Sequence, residues 1–187
     1  MPAFIDLPLR TERLILRPPK MEDADALFEI HSDPEAMRYW ATPPWTDPQL
    51  AIERVARDRE NIAQGAAMRL HLEPVGGGPI LGAVTLFAFM HPSARAETGY
   101  ILARHAWGQG YAQEAMRALI TYAFTTLGLR RLEADIDPRN VGSTKLLERL
   151  GFTQEGFLRE RWLVGEEVCD TALYGLLSRE WNNGGPR

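Results

Sequence analysis

The chain has 187 residues, 45% of them hydrophobic and 25% charged, with a formal net charge of -4. That balance describes a globular chain with a substantial core. The negative total gives no global attraction to nucleic acid or to an anionic membrane. One cysteine, Cys169, excludes an intrachain disulfide and offers no metal cluster, so we read it as a strand residue. The longest apolar run, 80–90, is too short to span a bilayer. No basic region precedes a long apolar core at the N-terminus, so a signal peptide is not expected and a cytoplasmic protein is. The pair Arg130-Arg131 reads as a solvated helix end.

Residues 14–16, between Arg13 and Arg17, read as a first strand stopped by Pro18-Pro19. Residues 22–32 form a short amphipathic helix with Ala26, Leu27 and Ile30 on one face. Residues 35–40 are a short helix or turn, and 41–48, with three prolines and Trp45, a loop. A polar helix follows over 48–64, capped by Asp47, with Pro48 in its first turn and Gly65 as its stop. The period then changes to two. Strands are expected at 68–73, 80–89 and 94–102, with a bulge at Gly99 that would splay the last from its neighbour. Residues 110–127 carry the clearest helical stripe: Ala112, Ala115, Met116, Leu119, Ile120, Ala123, Phe124 and Leu127, ended by Gly128. A strand at 132–136 and a helix at 141–150, capped by Asn140 and closed by Gly151, come next. A hairpin of 152–161 and 168–177 turns at Val164-Gly165-Glu166, and 182–187 read as a frayed tail. The pattern implies a single domain over 1–187 with its core at about 11–178. Its class is α/β (α+β mixed): a mixed, mostly antiparallel sheet of six to seven strands with helices on both faces.

The chemistry concentrates between Tyr100 and Met116. A strand end at 99–102, a turn opened by Gly108 and Gly110, and a helix start at Tyr111 gather unpaired backbone N–H groups around one point. The helix dipole adds positive potential there, so the site suits a phosphate or pyrophosphate. A plain glycine turn is the alternative. Gln113 stands where a dinucleotide fingerprint would need its third glycine, and no Lys-Ser/Thr pair follows as in a P-loop.

Four stretches occur in order: Thr11-Glu12-Arg13-Leu14; Trp107-Gly108-Gln109-Gly110-Tyr111-Ala112-Gln113-Glu114-Ala115; Leu132 through Asp137-Pro138-Arg139-Asn140 to Ser143; and Leu147 through Gly151-Phe152 with Glu155-Gly156-Phe157-Leu158-Arg159. Together they resemble the GNAT superfamily of acetyltransferases, in its RimJ/RimL-like branch. That branch acetylates N-terminal amines of ribosomal proteins and includes enzymes acting on other amines. The resemblance covers nearly the whole chain. Gly110 and Ala112 match the family's glycine motif, whereas Trp107 replaces its usual first residue. The resemblance implies acetyl-CoA as co-substrate, held in a splay between the fourth and fifth strands, 94–102 and 132–136. Its pyrophosphate would sit on the amides of Trp107, Gly108, Gln109, Gly110, Tyr111 and Ala112. Its pantetheine would pair with the backbone of Tyr100, Ile101 and Leu102, as an extended amide chain adds to an open strand edge. Asn140 would bond the pantetheine in addition to capping.

The implied reaction is transfer of an acetyl group to a primary amine by direct attack in a ternary complex. A backbone N–H near Ile101 or Leu102 could stabilise the oxyanion, and positioning of the two substrates contributes heavily. Glu97 is the candidate base, working through water, or else an exposed strand glutamate. Ser143 matches the serine assigned in this branch to protonate the departing thiolate, or else only satisfies a free helix N–H. The tyrosine that many members carry four residues before Gly-Phe is Leu147 here. His31, Tyr39, Trp40 and Trp45 would wall the acceptor pocket, unless the aromatics simply pack the loop down, and Glu160 and Arg161 would face it. His71, His91 and His105 read as surface or loop residues without metal spacing, with His105 in reach of the phosphates. The expected partner is an amine acceptor, a protein N-terminus or a small molecule, with no nucleic acid, membrane or metal, on a monomer or homodimer. A non-catalytic acetyl-CoA sensor would carry the same turn.

Overall fold

The computed structural model describes residues 4–182, the side chain of Asn182 excepted, so 183–187 of the expected tail lie outside the described residues. In chain order the elements are β1 (Leu9–Arg10), β2 (Leu14–Arg17), α1 (Ala24–Ser32), α2 (Pro34–Met37), α3 (Gln49–Gln64), β3 (Met68–Pro74), β4 (Gly82–Met90), β5 (Arg95–Leu102), α4 (Tyr111–Thr125), β6 (Arg131–Ile136), α5 (Val141–Arg149), β7 (Thr153–Val164), β8 (Glu167–Leu177) and α6 (Ser178–Asn182). The strands form one eight-stranded sheet in the order β1-β2-β3-β4-β5-β6-β8-β7. The strand beyond the expected six to seven is β1, which pairs with β2 through Leu9↔Leu16 and Arg10↔Ile15. Two residues are too few to show a period of two.

Both faces of the sheet are covered. Met68, Leu70 and Leu72 of β3 and Val84 and Leu86 of β4 pack with the stripe Ala115, Met116, Leu119, Ile120 and Ala123 of α4. On the other face Ala83 and Ile101 pack with Leu27 and Ile30 of α1 and Ala51 and Val55 of α3. Two covered faces explain why β4 reads as a nearly continuous apolar run. Gly82 lets β4 and β5 close at their tight end. Its φ is +155°, and a Cβ there would stand 2.1 Å from the Ile101 carbonyl oxygen.

β5 and β6 form the sheet's parallel pair; the other neighbours are antiparallel. They pair at Arg95↔Arg131, Ala96↔Leu132 and Glu97↔Glu133 and then separate, although β5 runs on to Leu102 and β6 to Ile136. The expected splay between 94–102 and 132–136 is therefore present. Its cause differs from the expected one. Gly99 keeps regular register opposite Thr85, and the irregularity falls between Phe87 and Met90, where Ala88 has φ 50°. The strands part because β4 holds β5 while β8 holds β6 along its whole length, from Arg131↔Leu177 to Ile136↔Ala172.

Two readings of charged residues are corrected. Arg130-Arg131 is no solvated helix end. Arg131 opens β6 and donates from Nε to Glu133 (2.8 Å), and Arg130 Nε donates to the Ser93 carbonyl (2.7 Å). His71 is fully buried, with Nδ1 2.8 Å from Asp23 Oδ2. Arg17 grips the same carboxylate through Nη1 and Nη2 at 2.8 and 2.7 Å. Burial would raise the Asp23 pKa, but the hydrogen bonds from Arg17 and His71 outweigh it and hold the group well below the usual carboxylate range. Burial lowers the His71 pKa, so the ring is neutral. His91 and His105 lie exposed in short turns, as expected.

Asp23→Asn takes one of two carboxylates from Arg17, Glu73 remaining, and we expect a loss of about 1–3 kcal/mol. A depressed folded-state pKa gives stability that is present at neutral pH and lost as pH falls below the carboxylate range. Denaturant titration at neutral pH should therefore show the full difference, and acid should narrow it.

Candidate active site

The turn between β5 and α4 is built on left-handed glycines. Gly108 has φ 72° and Gly110, the residue before the helix, φ 81°. No side chain caps this end of α4, so the first N–H groups of the helix stay open. A cation stands beside them. Arg13 donates from Nε to Glu114 Oε2 (2.6 Å) and from Nη1 to the Gln109 carbonyl (2.9 Å), and its guanidinium lies 4.5 Å from the centre of the Tyr111 ring. Glu114 also accepts from Thr11 Oγ1 at 2.6 Å and from the Arg13 backbone at 2.9 Å. The stretch Thr11 to Leu14 thus locks the chain's first strands onto α4. The sequence reading marked these residues without finding the cation they deliver.

Trp107 lies just before the glycines and donates its indole N–H to the Leu102 carbonyl at 3.0 Å; its backbone N–H, expected on the pyrophosphate, is instead taken by the Arg104 carbonyl at 3.2 Å. Of the three residues expected to pair with pantetheine, Leu102 therefore has its carbonyl engaged within the chain.

Where β5 and β6 part, a cavity of about 540 Å³ crosses the sheet. Gly99, Tyr100, Ala134 and Asp135 line it at the gap. Met116, Ser143 and Leu147 close it on the α4–α5 side, and Tyr39, Trp40, Arg54, Asp58, Arg69 and Glu97 on the α3 side. The volume suits a small-molecule site. The glycine turn does not line it but follows the end of β5.

Asn140 Oδ1 accepts from the Ser143 backbone N–H at 3.0 Å, the capping role expected of it. Ser143 Oγ lies 2.8 Å from the Tyr100 hydroxyl. Burial raises the Tyr100 pKa, and the bond to Ser143 opposes that rise. Sequence reasoning considered only the backbone of Tyr100. The alternation of Ala96, Thr98 and Tyr100 against Glu97, Gly99 and Ile101 was the signal that its phenol shares the α4–α5 face. Leu147 is buried beside this pair.

Glu97 projects to the opposite side. Burial raises its pKa first, and the charges of Glu133 and Asp135 raise it further. Glu133 is paired with Arg95 and Arg131, whereas Glu97 and Asp135 have no ion pair among the described residues. Tyr39 and Trp40 line the cavity, but His31 and Trp45 do not. His31 is buried between the two tryptophans, 5.9 Å from Trp40 and 4.2 Å from Trp45 by ring centres, and burial pushes its pKa down to about 3. Glu160 and Arg161 also stay off the wall; their neighbours Trp162 and Val164 reach it. Cys169 lines it too, with Arg139 Nη2 3.4 Å from its sulfur. Among the described residues no group of three or more His, Cys, Asp or Glu is placed to hold a metal ion, and no helix is long and apolar enough to cross a membrane.

A sequence profile of the acetyltransferase (GNAT) domain matches residues 13–153. The chain belongs to the GNAT acetyltransferase family. An uncharacterised N-acetyltransferase, p20 of Bacillus licheniformis, is 38% identical over 173 residues, covering 92% of this chain and 97% of that protein. Spermidine N(1)-acetyltransferase of Escherichia coli strain K12 is 28% identical over 149 residues, 80% of this chain and 77% of that one. The crystal structure of spermidine N-acetyltransferase from Vibrio cholerae in complex with CoA and spermine has a TM-score of 0.82 at 23% identity, covering 92% of this chain and 100% of that chain. At that identity the likeness speaks for the fold.

The raised Glu97 pKa means that the folded chain holds this proton to higher pH than the unfolded chain. Stability then falls as pH rises through the carboxylate range. Glu97→Gln should raise Tm near pH 8 and leave it unchanged below about pH 4, where the wild-type group is already neutral. Thermal melts across pH check this.

Proposed function

We propose that this protein transfers the acetyl group of acetyl-CoA to a primary amine by direct attack within a ternary complex. The observation that supports this best is the cavity that crosses the sheet where β5 and β6 part, with the uncapped start of α4 following the end of β5. The cofactor's pyrophosphate would meet the open N–H groups of 108–112, beside the Arg13–Glu114 ion pair. Its pantetheine amides would hydrogen-bond to β5 along the gap, and Asn140 and Ser143 would flank the arm. The whole of 1–187 acts in this reading as one catalytic domain, in the cytoplasm.

The amine would enter from the Glu97 side, past Tyr39 and Trp40. It attacks the thioester carbonyl while Glu97 takes its proton, directly or through water. The C–N bond forms, the C–S bond breaks, and the sulfur leaves with the electron pair. The Ser143–Tyr100 pair then supplies the proton that makes it a thiol. A raised carboxylate pKa is what a base needs near neutral pH. An N–H of β5 near Ile101 polarises the carbonyl. The acceptor is a small-molecule amine or a protein N-terminus.

Acetyl-CoA should raise Tm by mass action, by an amount corresponding to about 2.7 kcal/mol at a hundredfold excess over Kd. Gly110→Glu, which points a carboxylate at the phosphates, should abolish the shift. Gly110→Asn, tolerated on left-handed backbone, should keep it. No shift with wild type at millimolar cofactor contradicts the reading.

Tyr100→Phe and Ser143→Ala should each lower kcat by about a hundredfold or more. The double variant should be no slower than the worse single one, because the two hydroxyls act as one unit. Additive losses would show that they do not share a proton.

A further inference from the structure

Arg54, Asp58 and Arg69 form a group in the cavity wall that the transfer chemistry leaves unused. Arg69 projects from β3 toward α3, and its exposure is 6%. Asp58, one turn beyond Arg54 on α3, is 4% exposed. The Nε atoms of both arginines lie 3.0 Å from the same carboxylate oxygen, Asp58 Oδ2. Two cations share one anion, so one positive charge is left over. Only the Arg54 contact is aligned as a hydrogen bond; Arg69 Nε is buried without a hydrogen-bond partner. A buried guanidinium is costly unless an anion meets its donors. His31, close enough to feel both arginines, is neutral and supplies no charge.

Carboxylates line the cavity where the strands part, with the charges of Arg95 and Arg161 acting on Glu97 from nearby. Glu97 and Asp135 stand at the gap with no ion pair among the described residues. Register connects the two ends: Arg69 pairs with Thr85, and Thr85 with Gly99 at the gap. Two interstrand steps separate Arg69 from Gly99, about 10 Å between backbones, and side chains reaching inward shorten the span. Thr85 and Phe87 of β4 line the floor between them, and Gly99 adds no side chain of its own; a Cβ there would meet the Phe87 ring at 4.0 Å.

We propose that the acceptor is a compact primary amine that also carries a carboxylate. The carboxylate docks at Arg54 and Arg69, and the amine is presented to Glu97 beside the gap. This rests on the acetyl-transfer reading and narrows it. A second ammonium, as in a polyamine, would face the uncompensated guanidinium charge. The same chemistry could come from a free amino acid or from a peptide whose first residue is acidic.

The test is thiol release from acetyl-CoA by the full chain, with acceptors matched in length and ending in carboxylate, methyl or ammonium. A peptide amide beginning with Asp and one beginning with Ala complete the set. Carboxylate acceptors should exceed their methyl counterparts in kcat/KM by about tenfold or more, with diamines poorest. Arg69→Met should bring the carboxylate-to-methyl ratio toward one by raising KM for the carboxylate acceptors. Arg54→Met, at a more exposed position, should move the ratio the same way if Arg69→Met does not fold. Turnover of the Asp peptide but not the Ala peptide or the free acids would assign the carboxylate to an N-terminal residue. Diamines or alkylamines used equally well or better, a ratio that neither variant moves, or no turnover with any of the set would overturn the anion site. Acetyl-CoA binding, read separately from the Tm shift, would leave the acetyl-transfer reading intact in each of those cases.

Discussion

β5 and β6 are parallel strands that obey different neighbours. β4 fixes one and β8 fixes the other, and only three cross pairs join them before the sheet opens. Backbone N–H and C=O groups on the inner edges of that opening lose their strand partners. Polar backbone left unpaired away from water is costly, so the gap is a place that an extended chain of amides can complete. The rest of the site is arranged around this one interruption.

The interruption also sorts the chemistry by side. Alternation along β5 sends Tyr100 toward α5, where it meets Ser143, and Glu97 toward the α3 face. A donor for the leaving sulfur and an acceptor for the amine proton thus stand on opposite sides of the reacting atoms. Each environment raises the pKa of its group: burial does so for Tyr100, and burial with nearby carboxylates does so for Glu97. Two groups held by one strand and separated by the sheet cannot neutralise one another.

Much of this was legible from period and punctuation. The apolar stripe of α4, the glycines at 108 and 110, and Asn140 as a cap all lie where spacing put them. What escaped has a common cause. In 68–73 the alternation separates Met68, Leu70 and Leu72 from Arg69, His71 and Glu73, and a polar face reads as a solvent face. α1 and α3 cover that face, so His71 and Arg69 are buried and partnered with acids from distant segments. The phenol of Tyr100 was hidden similarly, because its partner Ser143 lies forty-three residues further on. Strand β1 was too short for any period, and the bulge expected at Gly99 falls instead between Phe87 and Met90.

Amide hydrogen exchange with and without acetyl-CoA tests the central claim most directly. Cofactor completing the opened edge and the helix start should slow exchange in two separated segments together, 98–102 and 108–113, while the β3–β4 ladder is unchanged. Protection confined to other parts of the chain, or none at saturating cofactor, would contradict the account.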